Sequence, residues 1–302
     1  MSKGRSLQKQ VVDALKSVTR LGQSRHEGKR RGIADRFIYS NETLKTYTGR
    51  LITAVKWIKA NRTPDLKELR EIRHDDWLAY IDQAERAGQS GGGLRSTIAA
   101  LHKLESGLRE RQWWTDEGTY IPAVKLSTPR SGARGGFSES EVAAILQHLD
   151  GDALLAAQLA YTTGLRLNEV YRLQASDIDL AVGTVTVRSA SAKGGRQRTV
   201  TRILDQAPLR AAYERSAGGY IFAPGSDRRI QDGIRAAVAG VLGTAGGGKN
   251  IHALRGSYAD RLLRHLIADG LSEQAARQEL ALQLGHGRTN VTYSYVPRLT
   301  NR

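Results

Sequence analysis

Residues 121–136 divide this chain into halves with different patterns. The segment carries Pro122, Pro129, Ser131, Gly132 and the adjacent Gly135 and Gly136, which makes it the best linker candidate in 302 residues. Before it, apolar residues recur only at helical spacing. After it, helices surround two short β-branched stretches. At about 150 residues per domain, the length itself predicts two domains, each large enough to bury a core.

In the first half, Leu7, Val11, Leu15 and Val18 form one helical stripe, and Leu44, Tyr47, Leu51, Ala54, Val55 and Ile58 form a longer one. Between them lies Arg25 to Arg36, rich in cations and poor in apolar residues, which reads as a mobile basic arm or a solvated loop. Further helices are predicted over Leu66 to Ile72, Asp75 to Ala87 and Leu94 to Leu108, the last following a Gly/Ser break at 88–93. The second half opens with the capping box Ser138-Glu-Ser-Glu141. Helices are predicted over Ala153 to Thr162, stopped by Gly164, and from Asn168 to Leu173. Residues 184–190 and 197–203 read as a hairpin around Lys193-Gly194-Gly195, and helix resumes over Arg228 to Leu242, His252 to Asp269 and Ser272 to Leu284.

Charge narrows the partners. The formal net charge is +16, and residues 1–60 alone hold 14 basic against 4 acidic side chains. An excess of this size points to a polyanion, because each neutralised phosphate releases counterions. No apolar run reaches the roughly 18 residues of a membrane span, so nucleic acid is favoured over membrane, in a cytoplasmic setting. With no Cys, disulfides, thiolate metal sites and cysteine nucleophiles are excluded, and the seven His show no HExxH spacing. Gly243-Thr-Ala-Gly-Gly-Gly-Lys249-Asn250 nearly matches a phosphate-binding P-loop, but Asn250 stands where a Mg²⁺-ligating hydroxyl belongs and a helix, not a strand, precedes it. No Gly-x-Ser-x-Gly elbow is present. No cofactor or metal is expected.

Five short elements remain, in order along the chain: Thr163-Gly-Leu-Arg166-Leu-Asn-Glu169, Lys193 in Ala-Lys-Gly-Gly-Arg-Gln-Arg, His252-Ala-Leu-Arg255, Leu284-Gly-His286, and Tyr295 nine residues beyond His286. Each has a plain structural explanation taken alone. As an ordered set over residues 137–296 they strongly resemble the tyrosine recombinase (phage integrase) family. The helical half before them is similar in pattern to that family's core-binding domain.

The resemblance implies the chemistry. Metal-free phosphodiester cleavage puts negative charge on non-bridging oxygens, and the planar, permanently charged forks of Arg166 and Arg255 suit it. His252 and His286 would complete the cradle, and Tyr295 would attack phosphorus. Lys193, able to lose its charge when desolvated, would protonate the leaving 5′ oxygen. Glu169 would buttress the framework. Tyr293, two residues away, is the competing nucleophile. Candidate DNA contacts are Lys29, Arg30, Arg31, Lys45, Arg50, Lys56, Arg95, Arg196 and Arg198. Seven residues follow Tyr295, a departure at the point where many members carry a further helix that docks on a neighbouring protomer.

The expected architecture is therefore mainly α, a two-domain DNA clamp. Residues 1–35 are a basic N-terminal helix and arm, 36–120 an all-helical core-binding domain, 121–136 a linker, and 137–302 a mixed α+β catalytic domain with a small antiparallel sheet. The expected activity is site-specific, metal- and ATP-independent breakage and rejoining of double-stranded DNA through a 3′-phosphotyrosyl intermediate, for integration or excision of a mobile element. The expected assembly is a homo-oligomer on DNA, a tetramer at synapsis, with an accessory DNA-bending protein as a further partner. A type IB-like topoisomerase, a non-catalytic DNA-binding protein on the same fold, and more distantly a P-loop ATPase are the alternatives.

Overall fold

The computed structural model describes residues 5–23, 25–128, 135–192, 195, 197–243, 249 and 251–297. The chain divides into two compact units, residues 1–131 and 132–302.

The first unit is helical: α1 (Leu7–Ser17), α2 (Arg25–Arg30), α3 (Asn41–Asn61), α4 (His74–Arg86) and α5 (Gly91–Glu110). The α3 stripe buries Leu51, Ala54, Val55 and Ile58, and Ser40 caps the helix by accepting from the Thr43 N–H. Residues Leu66 to Ile72, predicted helical, form only a 3-10 turn at Leu69–Glu71.

The helix expected near the N-terminus, α1, packs into the first unit. Val11, Ala14 and Leu15 are fully buried in the core that Leu101, Leu104 and Leu108 of α5 also line. A Cβ on Gly107 would lie 2.1 Å from the Ala14 carbonyl oxygen, so the two helix backbones meet with no room for a side chain. Gln10 ties α1 to the 3-10 turn, donating to Lys67 O and accepting from Leu69 N. The basic stretch is an excursion closed at its base, where Arg20 N donates to Ile38 O and Ile38 N to Val18 O. Buried Val18 and Ile38 anchor both ends of this excursion.

The second unit surrounds α7 (Gly151–Thr163), apolar on every face and hence central. Around it lie α6 (Glu139–Gln147), α9 (Ala207–Arg215), α10 (Asp227–Leu242) and α11 (Ile251–Ala268). The Ser138 box forms as predicted, with Ser138 Oγ accepting from the Glu141 N–H and the Glu141 carboxylate accepting from the Ser138 N–H. A short α8 (Leu167–Tyr171) leads to a three-stranded antiparallel sheet, β1 (Ile178–Asp179), β2 (Thr184–Val187) and β3 (Arg198–Val200), in that spatial order. Val185 pairs with Val200 and Val187 with Arg198, so Val185, Val187 and Val200 share the buried face. The two-residue β1 was too short for a sequence signal. A second apolar cluster joins α11 to α12 (Glu273–Gln283) through Leu262, Leu280, Leu284 and Val296. A 3-10 segment, Thr289–Ser294, then leads to Tyr295.

Candidate active site

Gly164 ends α7 in the left-handed conformation, at φ 66°. A Cβ there would lie 2.3 Å from the Tyr258 ring, so only glycine fits both the turn and its neighbour. The turn puts Arg166 at the start of α8 and Glu169 one turn on. The Glu169 carboxylate accepts from the Arg166 backbone N–H at 2.8 Å and from Arg166 Nη1 at 2.8 Å. It also takes a two-pronged grip from Arg198 on β3, at 3.0 and 2.7 Å. Arg255 Nη1 lies 3.9 Å from the same carboxylate.

Glu169 is therefore a buried anion among three guanidiniums. Burial pushes its carboxyl up, but the hydrogen bonds and charge of Arg198, the Arg166 backbone N–H and the Arg166 charge outweigh that and hold it at about 2.

Arg255, on α11, is 1% exposed. Its guanidinium donates to Gly164 O and, at 2.5 Å, to Leu284 O; Nη2 also lies 3.4 Å from His286 Nε2, and Nε donates to the Tyr295 hydroxyl at 3.4 Å. Burial lowers its pKa to about 10, with Arg166 adding to the fall and Tyr295 and Glu169 opposing it, so it stays cationic at neutral pH. The His286 and Tyr295 rings are 5.6 Å apart.

Arg166, Glu169, Arg255, His286 and Tyr295 thus meet in one place. His252 lies one turn earlier on α11 and is solvent-exposed. Lys193 and Arg196 lie outside the described residues. Tyr293 faces elsewhere, its ring 4.0 Å from the Arg277 guanidinium carbon.

Three expected DNA contacts behave differently from surface cations. Arg198 has an 8% exposed side chain, and its Nε donates to Gln283 O, so it is a strut inside the site. Gly285 packs against it, where a Cβ would be 2.8 Å from Arg198 Cδ. Arg50 donates to Thr97 Oγ1 and its Nε is buried. Arg95 is half-buried and donates to Thr128 O. Lys29, Arg30, Arg31, Lys45 and Lys56 are exposed.

Sequence reasoning missed Gln283, whose side chain accepts from the backbone N–H groups of Thr201 and Arg202 and donates to Thr201 Oγ1. It fastens the end of β3 to α12, just before Leu284-Gly285-His286. Its signal was a polar residue on the buried face of a helix, which a single sequence does not separate from a solvated one.

Chemically, this is a rigid cationic cradle with a phenol at its edge, suited to a tetrahedral oxyanion and a nucleophile.

Known proteins share the pattern. Residues 137–302 match the model of the phage integrase family. The chain is 25% identical over 283 residues to the tyrosine recombinase XerC of Bacillus pumilus, covering 85% of this chain and 86% of that protein. It is 33% identical over 239 residues to XerC of Pseudomonas fluorescens, covering 67% and 74%. Among solved structures, a lambda integrase dimer bound to a COC′ core site superposes with a TM-score of 0.64 at 19% identity, covering 92% of this chain and 78% of that one. XerH bound to difH in a pre-cleavage complex gives 0.62 at 16% identity, covering 98% and 95%. At these identities the structural likeness speaks for the fold.

Proposed function

Because this chain belongs to the phage integrase family and is a tyrosine recombinase, an enzyme of DNA strand breakage and rejoining, we propose that Tyr295 is its nucleophile and that Arg166, Arg255, His252 and His286 bind the scissile phosphate. The observation that carries this reading is the Tyr295 hydroxyl on the Nε of a buried, cationic Arg255, beside His286. The Arg255 Nε holds the phenol oxygen at the edge of the cradle, where a nucleophile is needed. Attack on phosphorus forms the Tyr295 O–P bond as the phenol proton passes to His252, and the bond from phosphorus to the 5′ oxygen of the cleaved strand breaks. Lys193 supplies the proton to that oxygen. The phosphotyrosyl bond conserves the energy of the linkage, so rejoining needs no ATP.

The substrate in this reading is a specific site in double-stranded DNA, and the context is integration or excision of a mobile element in the bacterial cytoplasm. Recombination of two duplexes calls for four active sites, which supports assembly as a tetramer on DNA, with a DNA-bending protein as an accessory. The lambda integrase tetramer bound to a Holliday junction is a precedent for such an assembly in a protein of this fold. No described helix is long and apolar enough to cross a membrane.

The test uses nicked duplexes spanning candidate attachment sites from DNA flanking the gene, in the presence of EDTA. The nick lets a short 5′-hydroxyl fragment diffuse away and traps the covalent complex. Wild type and Tyr293→Phe are expected to form a protein–DNA adduct on denaturing gels, and Tyr295→Phe to form none. Loss only with Tyr293→Phe refutes the nucleophile assignment. Tight binding without an adduct would favour a non-catalytic role, and relaxation of supercoils without sequence preference a topoisomerase.

A further inference from the structure

Two arginines are among the largest fully buried side chains of the chain, Arg255 and Arg277. The reaction as derived uses only the first. Burying a guanidinium costs several kcal/mol unless its donors are met, so the partners of Arg277 show what it is for.

Arg277 sits on α12, and its Nε donates to Glu273 one turn earlier at 2.7 Å. Its other described bonds leave the helix. Nη1 donates to Val296 O at 3.0 Å and to Thr292 Oγ1 at 3.4 Å, and Nη2 donates to Pro297 O at 2.8 Å. Those three residues bracket Tyr295 on both sides. The Tyr293 ring covers the face of the guanidinium at 4.0 Å.

The bracketed segment needs outside support. Thr289–Ser294 is a 3-10 run of 6 residues, longer than the three or four that this poorer hydrogen-bond geometry usually sustains. The Tyr295 and Val296 N–H groups share one acceptor, Thr292 O, at 3.0 and 2.9 Å. Pinning Thr292, Val296 and Pro297 to α12 leaves the intervening Tyr295 little freedom. The same helix runs into Leu284-Gly285-His286, whose Leu284 carbonyl accepts from Arg255. One 11-residue rod therefore carries a wall of the phosphate cradle and, through Arg277, the phenol that faces it.

We propose that Arg277 is a positioning residue for strand cleavage: its buried guanidinium clasps the Thr292 hydroxyl before Tyr295 and the Val296 and Pro297 carbonyls after it to α12, and so sets the distance of the phenol from Arg255 and the scissile phosphate. The proposal rests on Tyr295 being the nucleophile.

The experiment compares wild type, Arg277→Gln, Arg277→Lys and Tyr295→Phe in single-turnover cleavage of the nicked duplex. A matched duplex carries a 5′-phosphorothiolate at the scissile position, whose thiolate leaves without a proton. Misplacing a nucleophile by about 1 Å costs on the order of 100-fold, so Arg277→Gln should slow adduct formation at least about tenfold. The factor should be the same on both substrates, with the DNA dissociation constant within about threefold of wild type. Arg277→Lys, which keeps the charge but cannot reach both carbonyls, should fall between. Hydrogen exchange at the Tyr295 and Val296 amides should quicken while the buried α11 amides stay protected.

Wild-type cleavage by a folded Arg277→Gln overturns the proposal. So does a loss confined to the ordinary substrate, which would assign Arg277 to leaving-group protonation. Exchange that quickens throughout the second unit, with cleavage falling only in step with the folded fraction, also overturns it by making Arg277 a general stabiliser. If Arg277→Gln does not fold, Arg277→Lys is judged by the same readouts. An adduct surviving in Tyr295→Phe would instead refute the nucleophile assignment, and the clasp with it, whatever Arg277 does.

Discussion

Replacing Glu169 with Gln should destabilise the second unit in a manner that depends on pH. Gln keeps the size of the side chain and stands in for the protonated acid, so the change isolates what the charge contributes. The carboxyl is held at about 2 against an ordinary 4.5, with the side chain 1% exposed. At 1.36 kcal/mol per pKa unit, the ionised form stabilises the fold by about 3 kcal/mol. A folded pKa below the unfolded one means that this stabilisation is fully present above about pH 5 and is lost as pH falls toward 2. The gap between wild type and Glu169→Gln should therefore be about 3 kcal/mol at pH 7 and about 1 kcal/mol at pH 3. For a unit of this size, the pH 7 gap corresponds to a drop in Tm on the order of 6–12 °C. The four tryptophans, Trp57, Trp77, Trp113 and Trp114, all lie in the first unit, which separates the readouts. Tryptophan fluorescence follows the first unit, while circular dichroism at 222 nm follows both. Urea titrations should show the loss in the dichroism and not in the fluorescence. A Gln variant as stable as wild type at pH 7, or a gap unchanged between pH 7 and pH 3, would refute the reasoning.

Two further outcomes follow from the geometry of the cradle. Gly164→Ala must place a Cβ into the Tyr258 ring at a positive φ, and should cost about 2–4 kcal/mol of stability. Because Gly164 O accepts from Arg255, that variant should also slow adduct formation even at a temperature where it remains folded, as gel-resolved single-turnover rates would show. Arg255→Lys cannot span Gly164 O, Leu284 O and the Tyr295 hydroxyl with one ammonium. It should lower single-turnover cleavage by about 10²–10³, with DNA affinity measured by gel shift changing far less.

What the sequence made legible follows from how local the signal is. The α3 stripe, the Ser138 capping box and the Gly164 stop are encoded within one or two turns, and each forms where expected. The residues that meet around Glu169 come from five elements spread over more than 120 positions, so no local pattern could pair them. Only the order of motifs shared with the phage integrase family pairs Arg166, Arg255, His286 and Tyr295 in advance. Arg198 and Arg277 show the limit. Arg198 follows a run of basic residues and reads as a cation for phosphate, yet it turns inward to the buried Glu169 carboxylate of α8. Arg277 lies four residues after Glu273, the pattern of an ordinary surface ion pair. Burial alone distinguishes it, and burial is decided by the segment that returns to cover it. At the N-terminus the local signal sufficed: Val11, Leu15 and Val18, spaced as one helical stripe, are buried.

Arg166, Arg198 and Arg255 confront a single carboxylate, and the surplus of positive charge has a consequence for the working cycle. An empty cradle is held together against its own repulsion by hydrogen bonds to fixed carbonyls. In the proposed reading, a tetrahedral oxyanion entering it would relieve that repulsion and be repaid in affinity, which would link occupancy to folding of the second unit. Inorganic sulfate should raise the melting temperature of that unit, and a seated DNA phosphate should do so more strongly. Grip on the strand and firmness of the protein would then rise and fall together: the unit should stiffen as the strand is seized and slacken as it is let go.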